Sequence, residues 1–342
     1  MVIRQPDAAA VAEAVALLRA GDVIGLPTET VYGLAADAAN PAAVARIFAL
    51  KGRPLDHPVI VHVADAAAAQ RWSAAMPAAA QRLMQRFWPG PLTLIVPRAP
   101  HVSDAVTGGQ DTVGLRCPSH PVAQAVLRAF GRAGGSGGLA APSANRFGRI
   151  SPTQASHVCD EFGAAVPLVL DGGACAVGIE STIVDLSRDV PVVLRPGAIL
   201  AGDLADCLGA NVVSAEHAVA LARPEPRVSG ALAAHYAPQT ALRLVAPDDL
   251  PDQARAAAGQ GQRVAVWARR AAPPSLPEAV HWHVAPTAAA DYAHALYASL
   301  RQLDALGCQC ILVETPPAEP VWHGVRDRLG RAQAGSGVRH AP

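Results

Sequence analysis

The sequence predicts an α/β protein in two parts: an N-terminal α/β domain built on a mixed twisted sheet, and a smaller C-terminal Rossmann-like α/β domain. Three observations carry this expectation. At 342 residues the chain is about twice the usual 100–200 of a single domain. Its first two hundred residues alternate helical and strand-like segments, as layered α/β folds do. After Gly202 the alternation loosens, and Pro224, Pro226, Ser229 and Gly230 punctuate an extended stretch ending at His235-Tyr236-Ala237-Pro238, beyond which a second alternation begins. The boundaries that follow are 1–205, a linker over 206–238, and 239–342.

Each element has a local reason. Asp7 caps a helix running through Val11, Val15 and Leu18, which Gly21 ends, and Val23–Leu26 then reads as a short buried strand. Asn40-Pro41 is a cap and first-turn pair for a helix ending near Gly52, followed by a strand over Val59–Val63. Further strands are expected at Leu92–Val96, Val113–Arg116, Leu139–Ala141, Leu168–Leu170, Thr182–Leu186 and Val192–Leu194, with helices at Pro121–Phe130 and Thr153–Asp160. The Gly134–Gly138 run reads as a flexible loop. In the second domain, strands at Leu242–Val245, Val264–Trp267, Val280–Val284 and Cys310–Val313 alternate with Ala-rich helices around Asp252–Ala258 and Thr287–Leu306, which fits a small parallel sheet.

Composition excludes several classes. With 51% hydrophobic and 16% charged residues the chain is no disordered polyelectrolyte, and charges interrupt every apolar run before about 18 residues accumulate, so no membrane span is read. The 28 basic and 28 acidic residues divide evenly at Ala205, 16 of each before it and 12 of each after, so neither half reads as a basic nucleic-acid module. Arg4, Asp7 and Glu13 within a helical pattern do not make a secretory signal, and six cysteines without a C-x-x-C suit reduced, packed thiols. The expectation is a cytoplasmic protein without a structural metal.

Generic motifs fail one by one. The single lysine, Lys51, sits in no Walker A pattern. Gly134-Gly135-Ser136-Gly137-Gly138 matches a hydrolase elbow in letters, but a helix precedes it and a strand follows, the reverse of what the elbow needs. His281-Trp282-His283 puts two imidazoles on one strand face with no third ligand nearby.

A more informative set is spread over the first domain. Thr28-Glu29-Thr30 offers hydroxyls at the end of a strand, where α/β proteins commonly bind ligands. Lys51-Gly52-Arg53-Pro54 sets two cations beside a helix-ending glycine, a pairing suited to polyphosphate, with His57 and His62 following. Lys51 is the one basic residue that is not arginine, which points to a site needing a compact ammonium. Asp111-Thr112-Val113-Gly114-Leu115-Arg116 ends a strand on a guanidinium able to grip a carboxylate, and Ala141-Pro142-Ser143-Ala144-Asn145, with Ser151 nearby, lets a ligand approach backbone amides. Glu180-Ser181-Thr182 and Leu194-Arg195-Pro196-Gly197 complete it. Rich in Ser, Thr and Arg and without an evident nucleophile and base, such a site positions anions and stabilises charge.

In order and wording, Pro27–Leu34, Lys51–Val63, Phe87–Thr93, Val113–Arg116, Ala141–Asn145, Gly178–Thr182 and Leu194–Gly197 resemble the YrdC-like L-threonylcarbamoyladenylate synthases over about residues 5–205. The His235–Pro238 segment and the α/β domain after it, ending in Asp327–Ala332, resemble the long, two-domain form of that family. The resemblance implies an enzyme joining L-threonine, bicarbonate and ATP, the latter with Mg²⁺, into threonylcarbamoyl-AMP and pyrophosphate. The product would supply tRNA threonylcarbamoyl-transfer proteins acting on adenosine 37 of ANN-decoding tRNAs. It implies Thr30, His62, Arg116, Ala141 and Ser181 on the threonine side, and Arg53, His57, Thr112, Ser143, Ser151, Arg195 and the linker's Tyr236 on the ATP side. Lys51 and Arg53 take the catalytic role, facing the phosphates and the carboxylated amine. Two positions depart from the family pattern: His57 stands where Asn is frequent, and Ser229-Gly230-Ala231-Leu232 replaces Ser-Pro-Gly-Met-Lys. An RNA-binding or ribosome-associated YrdC-like protein without synthase activity is the alternative, and direct tRNA binding is left open. A carbamoyl-transfer protein of the hydrogenase-maturation type would add paired C-x-x-C motifs, which the sequence lacks.

Overall fold

The computed structural model describes residues 2–214 and 226–337, so Pro224, one of the residues that mark the linker in the sequence, lies outside the described residues. By their contacts the residues form two compact units, Met1–Phe147 with Pro152–Ala231, and Gly148–Ser151 with Leu232–Pro342.

The first unit runs β1 (Val2–Arg4), α1 (Ala8–Arg19), β2 (Ile24–Leu26), β3 (Gly33–Asp37), α2 (Pro41–Lys51), β4 (Val61–Val63), α3 (Ala66–Gln70), α4 (Ala78–Phe87), β5 (Leu92–Pro97), α5 (Asp104–Thr107), β6 (Thr112–Arg116), α6 (Pro121–Arg132), β7 (Gly138–Ala140), α7 (Ala155–Phe162), β8 (Leu168–Leu170), β9 (Thr182–Asp185), β10 (Val192–Arg195), α8 (Ala201–Leu208) and β11 (Val213–Ser214). The strands form one mixed sheet in the order β1-β8-β2-β3-β7-β4-β6-β5-β9-β10-β11. One apolar core joins α1 and α6 to the sheet through Leu18, Ile24, Val126 and Phe130, and a larger one gathers Val44, Ile47, Leu83, Leu94 and Val184. The second unit is β12 (Ala241–Val245), α9 (Leu250–Gly259), β13 (Val264–Ala268), β14 (Val280–Val284), α10 (Ala289–Ala305), β15 (Cys310–Glu314) and α11 (His323–Gly335), its strands all parallel in the order β12-β15-β13-β14. The mixed sheet and the parallel sheet are those the sequence predicts.

Local chemistry explains the helix that matters most. Asn40 Oδ1 accepts the N–H groups of Ala42 and Ala43, Pro41 fits the first turn, and Gly52 at φ +61° ends α2. The Arg53 N–H returns to the Phe48 carbonyl at 3.0 Å, so the turn holds Lys51 and Arg53 in fixed directions. The sequence reading names no strand over Gly33–Asp37, whose Gly, Ala and Asp have low strand propensity, yet the segment pairs with β2 and β7; there, tertiary pairing overrides propensity. Gly138 is no flexible residue but part of β7, where an added Cβ would lie 2.5 Å from the Trp72 ring and 2.6 Å from Val61.

Candidate active site

Strand order assembles the site. Along β7, β4, β6, β5, β9 and β10, six neighbouring strands present Ala141, His62, Arg116, Thr93, Ser181 and Arg195, each at or within one residue of a strand end. His62 and Arg116 are register partners across the parallel β4–β6 pair, and Thr93 and Arg116 across the antiparallel β5–β6 pair. The Thr93 and Ser181 hydroxyls lie 2.7 Å apart, bridging β5 to the entry of β9.

Buried charge dominates. Lys51, Arg53, Arg116 and Arg195 are all buried, beside the buried carboxylates of Glu29 and Glu180. Lys51 Nζ donates to the Ser143 carbonyl at 2.6 Å and to the Asn145 carbonyl, which spends two of its three N–H bonds on backbone and leaves one for a ligand. Burial, with the neighbouring Arg53 cation, holds its pKa well below the usual lysine value. Arg53 Nη2 donates to the Pro58 carbonyl at 2.8 Å and to Ser229 Oγ at 3.2 Å, while Arg195 Nη1 donates to the Ser229 carbonyl at 2.8 Å. One linker serine therefore positions two guanidiniums. Arg195 also grips the Ser181 carbonyl through Nε and Nη2, at 3.1 and 2.9 Å.

The opposite charge pattern surrounds Arg116. Its Nη2 lies 2.8 Å from Glu29 Oε1, and its Nε has no hydrogen-bond partner although buried, so the Nε–H is a donor available to a carboxylate. Glu29 Oε2 accepts the Ser119 N–H at 3.1 Å. Thr28 Oγ1 donates to the Val31 carbonyl at 2.6 Å, so the 2.9 Å contact between the two hydroxyls has Thr30 donating and leaves the Thr30 oxygen free to accept. His62 Nδ1 has no partner; burial, reinforced by the Arg116 cation, pushes its pKa down to about 3, and the ring is neutral at pH 7.

That shift has a measurable consequence. A histidine neutral in the folded state and ordinary in the unfolded one takes up its proton on unfolding, so stability rises with pH between about 3 and about 6.5 and is lost as pH falls through that window. Urea unfolding of wild type and His62→Gln from pH 3 to 7 is expected to show the variant missing on the order of 3–5 kcal/mol of that pH dependence. Parallel curves would mean that His62 is not held neutral.

The remaining sequence-predicted residues are placed as follows. His57 stands edge-on to Phe147, ring centroids 5.4 Å apart, with burial and Arg53 lowering its pKa. Thr112 lines a crevice with Pro58, Ile95, Ile183, Arg227 and Ser229. Ser143 is bridged to Gly33. Ser151 and Tyr236 fall in the second unit, where Tyr236 is buried at φ +61°, its ring 5.4 Å from the Arg328 guanidinium and 5.7 Å from Tyr297. Glu29, Thr93 and Ser229 join the site although the sequence reading assigns them no role; each lies inside a stretch that reading quotes, Thr28–Thr30, Phe87–Thr93 and the linker.

Chemically the cluster suits anions: an ammonium and three guanidiniums gathered by backbone carbonyls and hydroxyls. Cys175, beside Glu29 and Arg116, has its thiol pushed up to about 12 by burial and is no thiolate nucleophile.

Comparison with known proteins follows the same division. The family described as Telomere recombination matches residues 16–197, and the one described as Threonylcarbamoyl-AMP synthase, C-terminal domain, matches 199–334. The chain is 35% identical over 345 residues to the threonylcarbamoyl-AMP synthase of Bacillus subtilis, covering 96% of this chain and 94% of that protein. It is 34% identical over 350 residues to the enzyme of that name from Schizosaccharomyces pombe, covering 90% and 84%. The structure superposes with a TM-score of 0.85 on Pyrococcus abyssi Sua5 complexed with L-threonine, at 32% identity over 95% of this chain and 94% of that one.

Proposed function

We infer the activity from a premise now in hand: the chain belongs to the two-domain threonylcarbamoyl-AMP synthase family. It is a nucleotidyltransferase that makes threonylcarbamoyl-AMP from L-threonine, bicarbonate and ATP, releasing pyrophosphate and water. The observation that carries the reading is the pairing of a buried cation cluster, Lys51, Arg53 and Arg195, with a separate carboxylate-ready donor on Arg116. A role in RNA binding without synthase activity is not favoured, because relatives matched over nearly their whole length bear the synthase name.

In the proposed mechanism Arg116 donates to the threonine carboxylate from its unpartnered Nε–H, with Glu29 fixing the guanidinium through Nη2. Thr30 and the Ser181–Thr93 hydroxyl pair orient the substrate's polar groups, and neutral His62 accepts a hydrogen bond without adding charge. Ala141 keeps the wall small. The amine takes up bicarbonate with loss of water, and the resulting carbamate oxygen attacks the α-phosphorus in line as pyrophosphate departs. Negative charge grows on both sides of that phosphorus, and the preorganised Lys51, Arg53 and Arg195 stabilise it. Ser143, Thr112 and His57 flank the nucleotide in this proposal, and Ser151 and Tyr236 are kept in its nucleotide set on the resemblance alone.

Mg²⁺ enters this proposal as part of the nucleotide substrate, where it would neutralise the charge of the phosphates. Downstream transfer to adenosine 37 of ANN-decoding tRNAs by other proteins belongs to the same proposal. Six free cysteines support a cytoplasmic location, and no helix among the described residues is long and apolar enough to cross a membrane.

The direct test is pyrophosphate release from ATP, with omission of each co-substrate. Release is expected only with threonine and bicarbonate together, alongside a product bearing both labelled threonine and AMP. Release independent of threonine would refute the assignment.

A further inference from the structure

The second unit closes one edge of its sheet and leaves the other open. At β12 the Leu242 and Leu244 N–H groups donate to Ser336 Oγ and Gln333 Oε1 of α11, at 2.8 and 2.6 Å, which covers that edge. β14 is the opposite edge, paired only to β13. There the Ala279 carbonyl accepts the Val264 N–H at 2.9 Å and the Ala285 N–H donates to the Ala268 carbonyl at 2.7 Å. In a parallel ladder each residue turns both backbone groups to the same side and its neighbours turn theirs to the other, so His281 and His283 also bond inward, to β13. The N–H and C=O of Trp282 and Val284 and the C=O of Val280 therefore face outward, and none of them has a hydrogen-bond partner among the described residues.

This edge is self-complementary. Val280-His281-Trp282-His283-Val284 reads the same in both directions. Val280 and Trp282 pack on the core that α9 shares with the sheet, and the Trp282 indole N–H donates to the Arg270 carbonyl at 3.0 Å. Strand alternation puts His281 and His283 together on the other face. His283 is exposed and His281 half-buried, and Arg263 Nη2 reaches His281 Nε2 only at 3.5 Å, too loosely to hold the ring against a metal. No third His, Cys, Asp or Glu joins them among the described residues, so one chain carries half of a metal site.

We propose that two copies pair β14 with β14, antiparallel about a two-fold axis at Trp282, and that the four histidines so gathered bind one divalent cation of the zinc class. In that register Trp282 exchanges both backbone hydrogen bonds with its own copy, and each Val284 N–H meets the Val280 C=O of the second copy. Four bonds thus form from groups that otherwise meet only water. His281 falls opposite His283 of the second copy, in the non-hydrogen-bonded position where facing Cα atoms approach to about 4.5 Å. The imidazoles then ring the axis on one face, while Val284, 62% exposed in the single chain, is covered on the other. Imidazole nitrogens without carboxylates favour Zn²⁺, Ni²⁺ or Cu²⁺ over Mg²⁺ and Ca²⁺. Five residues of edge, roughly 17 Å of strand, are too short a seam to bury the about 1,000 Å² of a stable interface, so the pairing depends on the metal.

The test is analytical ultracentrifugation of the full-length protein in chelator, in Mg²⁺ and in Zn²⁺, with bound zinc counted after removal of excess. A monomer is expected in chelator and in Mg²⁺, and a dimer holding one Zn²⁺ per two chains in Zn²⁺, its dissociation constant tighter by roughly 100-fold or more. His281→Gln combined with His283→Gln is expected to abolish the zinc-dependent dimer. Val284→Pro removes an outward N–H and no bond to β13, and should weaken the dimer at least tenfold with both histidines intact. A monomer in Zn²⁺, or a dimer that forms equally in chelator or Mg²⁺, overturns the proposal. A zinc dimer that survives loss of both histidines overturns the metal site, and one indifferent to Val284→Pro overturns the strand pairing. With Co²⁺ as the probe, a sulfur-to-metal charge-transfer band would move the ion to cysteines and overturn the four-histidine assignment; its absence alongside a dimer supports it.

Discussion

Lys51→Arg is expected to lower kcat by about 100-fold or more while keeping the charge, equivalent to about 2.7 kcal/mol of lost transition-state stabilisation. The wild-type ammonium is buried between the Ser143 and Asn145 carbonyls, and its third N–H is the only one left to meet substrate. A guanidinium is planar and longer, so it cannot satisfy both carbonyls and still direct a donor along the third tetrahedral axis. KM for ATP should change less than kcat, because the lost contact matters most as charge builds at the phosphorus. Burial and Arg53 lower the Lys51 pKa, so in the free enzyme the ammonium is lost as pH rises through a value below that of an ordinary lysine. Activity on the alkaline side should therefore fall earlier than the usual lysine range, and bound phosphates should move that limb upward. Turnover of Lys51→Arg within threefold of wild type would remove the role assigned to this residue.

Arg116→Ala is expected to weaken threonine binding by about 10–100-fold, from loss of a charge-assisted contact worth roughly 1.5–3 kcal/mol, and to leave ATP affinity within about threefold. Deleting the guanidinium also strands the buried Glu29 carboxylate, so a stability loss of about 3–5 kcal/mol should accompany the binding defect. The two effects separate in a double variant. Adding Glu29→Gln removes the stranded charge and should restore much of the stability without restoring threonine affinity. Calorimetry showing equal losses for threonine and ATP would reject the partition of the site into two sides.

Features written in adjacent residues were legible in the sequence. The Asn40-Pro41 start and Gly52 stop define α2 without help from the rest of the chain, and with it the positions of Lys51 and Arg53. What long-range pairing decides was not legible. Gly33–Asp37 becomes a strand because β2 and β7 lie on either side of it. Glu29 faces Arg116 because of strand order, which no local spacing encodes. Ser229 enters the sequence reading as a mark of the linker and as part of an altered motif, with no role in the site, yet it is bound to Arg53 through its side chain and to Arg195 through its carbonyl. The α11 helix was missed as well, its sequence having been read as a terminal motif with a buried Arg328 unforeseen.

The second unit owns four residues that the ribosome makes early. Gly148–Ser151 belong to it by contact: the Gly148 carbonyl accepts the Ala237 N–H at 2.8 Å, the Ile150 carbonyl accepts from Arg301, and Arg149 lies 3.8 Å from Asp304. At about 5–20 residues per second, the segment waits roughly 5–20 s after its own synthesis before Ala237 is made, and longer for Arg301 and Asp304. Until then its backbone groups have only water for company. The second unit thus cannot finish folding from its own contiguous stretch of chain, and no single cut in the polypeptide releases it whole: a cut before Leu232 leaves behind the four residues that its own hydrogen bonds require.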